Sequence, residues 1–72
     1  MQENDRLYTK EPDGTVELWY FWAYSGTRFA VAKTRNANRA AYKRYYHMDD
    51  VGKTIFTSRE DANKAPTPGF HI

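Results

Sequence analysis

Apolar and polar positions alternate in short segments separated by turn residues, and one segment breaks the alternation. Residues 6–11 (RLYTKE) alternate and predict a first strand. Pro12, Asp13 and Gly14 follow as a turn, because proline presets φ, aspartate bonds its own backbone and glycine supplies positive φ. Residues 15–24 predict a second strand, and here Trp19, Tyr20, Phe21 and Trp22 stand side by side. A strand with one wet face does not read this way; one covered on both faces does. Ser25 and Gly26 mark another turn. Residues 27–35 predict a third strand, with Phe29 and Val31 on one face and Ala30 and Ala32 on the other. Residues 36–38 (NAN) form a loop. Residues 40–48 predict a fourth strand, with Tyr42 and Tyr46 on one face and Tyr45 on the other. Alanine, lysine and arginine in that segment also suit a helix, but its tyrosines and the neighbouring loop favour a strand.

Past a bend at residues 49–52, residues 53–57 give a short fifth strand around Ile55 and Phe56. The period then changes. Thr57 with Glu60 and Ser58 with Asp61 are overlapping capping pairs, so a short helix is expected to begin within residues 57–60. Glu60 and Asp61 suit its positive end, Lys64 its negative end, and Pro66 stops it. The domain therefore spans residues 6–65, between a flexible leader at 1–5 and a flexible tail at 66–72. Strands at about ten-residue spacing predict a mainly β fold with a short C-terminal helix. The architecture is a small antiparallel barrel of SH3-like kind or a curled five-stranded sheet. Val16, Leu18, Tyr20 and Trp22 are then expected in the core. Trp19 and Phe21 fall on the opposite face, under the helix or exposed as aromatic anchors for a partner.

Residues 50–65 read DVGKTIFTSREDANKA. This resembles the C-terminal tail of small uncharacterised phage and mobile-element proteins of Firmicutes, with the pattern D-I-G-K-T-V-F-L-T-R-E-E-A-E-K-A-L. Asp50, Gly52, Lys53, Thr54, Phe56, Arg59, Glu60, Ala62, Lys64 and Ala65 match in place. Thr57 replaces an apolar residue and Pro66 the last leucine, which shortens the helix. The resemblance implies a small sheet, a helical turn and a phage-like context, and carries no site residues.

Composition narrows the class. The chain has 72 residues and no cysteine, so neither disulfides nor thiolate-bound metal stabilise it. Aromatic residues make up 17% of it and supply the core, each burying about 150–250 Å². The polar, acidic start (MQENDRLY) is unlike a signal peptide, and the longest apolar run, LWYFWAY, falls well short of a membrane span. A cytoplasmic protein with no membrane contact is expected.

The net charge of +2 hides a segregation. Glu3, Asp5, Glu11, Asp13 and Glu17 lie within the first 17 residues, whereas residues 28–48 hold Arg28, Lys33, Arg35, Arg39, Lys43 and Arg44 and no acid. Interleaved with Tyr42, Tyr45 and Tyr46, these cations form a basic aromatic hairpin. Cations neutralise phosphates and tyrosine rings stack on bases, so nucleic acid is the first expected partner. An acidic surface of a host protein that the chain inhibits or adapts, such as a bacterial defence factor, is the alternative. The same cations also serve ordinary proteins as cover for sheet edges.

No cofactor, metal or catalytic constellation is expected. Gly52-Lys53-Thr54 is similar to the end of a phosphate-binding loop, but His47 stands where the loop needs a glycine. His47, Asp49 and Asp50 lie close together in sequence, with His71 in the tail, but adjacent strand positions diverge rather than converge on an ion. Ser25 and Ser58 fit a turn and a cap.

Overall fold

The turn residues divide the chain close to where the sequence predicts. A computed structural model describes residues 1–67. It contains β1 (Arg6–Lys10), β2 (Val16–Ser25), β3 (Arg28–Ala32), β4 (Lys43–His47), β5 (Ile55–Phe56) and α1 (Arg59–Lys64). The five strands are antiparallel, in the spatial order β4-β3-β2-β1-β5, and curl into a half-barrel. Ser58 caps α1, its hydroxyl accepting the Asp61 N–H at 3.1 Å, within the expected start. The third, fourth and fifth strands are shorter than predicted. Asn38 is the reason at the start of β4: its side-chain oxygen accepts the N–H groups of Ala40 and Ala41 and holds them in a turn.

The long strand β2 makes the curl possible. Its first half pairs with β1, where Trp19 faces Leu7, and its second half with β3, where Phe21 faces Val31. Between Phe21 and Ala23 the register shifts, so Trp22 is the extra residue of a bulge. The bulge lets both Phe21 and Tyr24 face inward, their rings 4.9 Å apart edge to face. The core cluster on that inner face is Leu7, Trp19, Phe21, Phe29, Val31 and Ile55, with Tyr46 packed against it.

The phase of β2 is thus opposite to the expected one. Trp19 and Phe21 are 3% and 4% exposed, while Val16, Leu18, Tyr20 and Trp22 are half-buried on the outer face. Both alternating sets are apolar, so only the strand partners fix the choice. Leu7 opposite Trp19 and Val31 opposite Phe21 make the inner set the core. The outer set is divided in two. Its first half lies beside Tyr8 and Phe56, on the strands that α1 packs against. The second half, from Tyr20 onward, forms part of an exposed face.

The leader is tied to the sheet. Asn4 N–H donates to Phe21 O and Phe21 N–H to Asp5 O, both at 2.8 Å, extending the β1 edge of β2. Asn4 and Asn36, both at positive φ, bond each other twice at 2.9 Å and fasten the β3–β4 loop. Of the expected flexible tail, residues 68–72, including His71, lie outside the described residues.

Candidate functional site

Strand alternation splits the basic hairpin between two faces. Directly opposed residues of an antiparallel pair share a face. On the inner face Arg44 opposes Val31 and Tyr46 opposes Phe29; on the outer face Lys43 opposes Ala32, Tyr45 opposes Ala30 and His47 opposes Arg28.

The inner-face cations are spoken for. Arg44 pairs with Glu11 at 3.1 Å and donates to the Tyr46 hydroxyl at 3.0 Å; Lys33 pairs with Glu17 at 2.6 Å. Both lie over the Trp19 ring, Arg44 at 4.4 Å and Lys33 at 4.7 Å from its centroid, and the Tyr42 ring tilts against it at 6.4 Å. Below them a polar chain closes: the Trp19 indole N–H donates to Thr9 Oγ1 at 3.0 Å, and the Thr9 hydroxyl donates to Glu11. Partial burial pushes the Glu11 carboxyl up. The hydrogen bonds from Thr9 and Arg44, with the charges of Arg44 and Lys33, outweigh that and hold it below the usual carboxylate range. Burial likewise raises the Tyr46 hydroxyl, against the opposing influence of Arg44. This assembly locks β4 to the β1–β2 turn and leaves little charge for a ligand.

The outer face differs. Trp22, Tyr45, Lys43, Arg39 and Ala41 line a shallow depression of about 370 Å³. The Lys43 ammonium rests 4.0 Å from the Trp22 centroid, steadied by the carbonyls of Asn38 and Ala41. Tyr45 is 55% exposed, whereas Ala30 and Ala32, the small residues between β2 and β4 in the same rows, are 1% exposed. Alanine there keeps the middle strand low, so no bulky side chain on β3 separates the β2 and β4 side chains. Tyr20 stands in the row of Ala32 and Lys43, and Arg6 opposes Tyr20. Arg28 and His47 close the far end. No acid occupies an outward position on β1 to β4, and among the described residues no carboxylate pairs with Arg28, Arg35, Arg39 or Lys43.

The structure therefore keeps Lys43, Tyr45 and Arg39 together, with Arg28 at the end of the same face. Arg35 stands exposed in the β3–β4 loop. Lys33, Arg44, Tyr42 and Tyr46 go to the other face. Trp19 and Phe21 belong to the core and are not outward anchors. Sequence reasoning missed Trp22 as a surface ring and Glu11 and Glu17 as counter-charges.

His47, Asp49 and Asp50 form a local cap. His47 N–H donates to the Asp50 carboxylate at 3.0 Å, and the Asp49 N–H donates to His47 Nδ1 at 3.2 Å, fixing a single 3₁₀ turn at Met48–Asp50. Among the described residues no three histidine, aspartate or glutamate side chains gather as a metal site. Gly52, Lys53 and Thr54 form a turn closed by backbone bonds to Asp50 and Ile55. No helix among the described residues is long and apolar enough to cross a membrane. In comparison with known proteins, no family model matches the chain, and no curated protein or solved structure matches it.

Proposed function

We propose that the protein is a noncatalytic nucleic-acid-binding module, of the phage-like context its C-terminal resemblance implies, and that it contacts phosphates through the outer face of β2, β3 and β4. One observation carries this reading: the outward rings Trp22 and Tyr45 lie with Lys43 and Arg39, and no carboxylate stands among them. A cationic surface free of counter-charges attracts polyanions and releases their condensed ions on contact. Burial of Trp19 and Phe21 removes the aromatic anchors that would have favoured a protein partner; an acidic protein surface docking on the same basic face is the alternative.

The test is a salt-dependent titration with oligonucleotides. Replacing Arg28, Arg39 and Lys43 together by alanine should weaken binding and flatten the log–log salt slope by about 0.7–0.9 per lost contact. Arg44, which pairs with Glu11, should contribute little to that slope. If no oligonucleotide binds more tightly than about 100 μM at about 50 mM salt, the reading is wrong.

A further inference from the structure

Rings and cations share the outer face, and the manner of their sharing selects among nucleic acids. We infer that this face takes a single strand, with bases stacked on Trp22 and Tyr45 and phosphates held at either end, by Arg28 on one side and by Lys43 and Arg39 on the other. This inference rests on the nucleic-acid reading and names its ligand.

Three features support it. First, the rings are central and the cations terminal. The row of Arg28 and His47 and the row of Ala32 and Lys43 are four residues apart along β3, about 13 Å at strand rise. That is roughly four nucleotides at the 3.4 Å spacing of a stacked strand. Tyr45 opposes Ala30 in the row midway between, and the bulged Trp22 stands next to that row, immediately before Ala23, which opposes Ala30 from β2. A duplex offers phosphates to the ends of such a face but keeps its bases stacked on one another, so the central rings have nothing to meet. An unpaired strand has base faces to offer.

Second, the surface is a broad sheet face whose middle strand carries alanine. Among the described residues it has no projecting helix or ribbon to enter a groove, as readers of duplex base edges require. Third, Lys43 lies on the Trp22 ring. An ammonium on a half-buried ring at the surface is held more weakly than a stacked base, so a base displaces it and leaves the cation beside the incoming phosphate.

Trp22 also supplies the readout. The chain has two tryptophans, and Trp19 is 3% exposed beneath Arg44 and Lys33, so quenching by an added strand reports Trp22. The probes are a short oligothymidylate, an abasic oligomer of the same length and a duplex of the same length. The oligothymidylate should quench the emission and bind at least about fivefold more tightly than the abasic oligomer. By anisotropy of a labelled strand, Trp22→Ala should reduce that preference and Trp22→Ala combined with Tyr45→Ala should abolish it, both while still binding the abasic oligomer. Trp22→Phe, which keeps a ring, should retain the preference, and Lys43→Ala should weaken both ligands equally. Equal affinity of the wild-type protein for base-bearing and abasic strands overturns the stacking and leaves the phosphate reading standing. A preference for duplex also overturns it. Absence of binding to all three probes overturns both.

Discussion

Trp19 and Trp22 are separated by one turn of phrase in the sequence, WYFW, yet their environments oppose each other. Trp19 is closed in by the core, donates to Thr9 and lies under two cations; Trp22 is half-buried on the outer face. Truncating Trp19 to alanine should cost about 3–5 kcal/mol, by lost burial and the cavity left behind. Trp22→Ala should cost less, about 1–2 kcal/mol, because its ring is only partly buried. Denaturant titration of the two variants measures the difference, and similar losses would place both rings in the core. The chain Trp19–Thr9–Glu11–Arg44 also predicts a pH response. Glu11 ionises more readily folded than unfolded, so its stabilising contribution is complete above the ordinary carboxylate range and disappears as pH falls through the lower folded value. The melting temperature should therefore drop on acidification below about pH 5, and drop less in Glu11→Gln. An unchanged pH profile in the variant would remove Glu11 from the account. Asp13, also held low by its bonds to Thr15, acts in the same direction in both proteins and cancels from the comparison.

Among the elements, the β2–β3 hairpin is the most strictly specified. Ser25 opposes Arg28, which leaves a two-residue loop of Gly26 and Thr27 with Gly26 at φ +65°. A Cβ at Gly26 would meet nothing within 4 Å, so the cost of Gly26→Ala is backbone strain alone, about 1–3 kcal/mol. Thermal melting of that variant tests it, and an unchanged midpoint would mean the turn readily adopts another form. The turn signals and the helix cap were legible in the sequence because they are local: Gly26 and Ser58 act on backbone within three residues. The phase of β2 was not, because it is set by Leu7 and Val31 on other strands while both of its own faces are apolar. The site was half legible for the same reason. The run of cations is visible in residues 28–48, but the acids that neutralise two of them arrive from elsewhere, Glu11 lying 33 positions before Arg44 and Glu17 16 before Lys33.

At the scale of the molecule there is one core, and every strand contributes to it: Leu7 from β1, Trp19 and Phe21 from β2, Phe29 and Val31 from β3, Tyr46 from β4 and Ile55 from β5. No strand can leave without opening the cluster. Unfolding should be a single transition, with tryptophan emission and far-ultraviolet circular dichroism tracing the same curve. Curves that separate would show that β4 or α1 comes away first. The segregation of charge along the chain acquires a meaning at this scale that it lacks in one dimension. The acidic first 17 residues bring Glu11, in the β1–β2 turn, and Glu17, on β2, to the inner face against the cations that arrive there, and the curl keeps both from the outer face.

The bulge in β2 has a consequence for chain length. Trp22 is the one residue there that the ladder with β3 does not count: without it, Phe21 would still oppose Val31 and Ala23 would still oppose Ala30. A deletion elsewhere in the strand would turn its remaining side chains to the wrong side, whereas a deletion here leaves a regular strand in the same register. The backbone of Trp22 is dispensable to the pairing, and what the position adds is a local bend in the strand and an indole on the outer face.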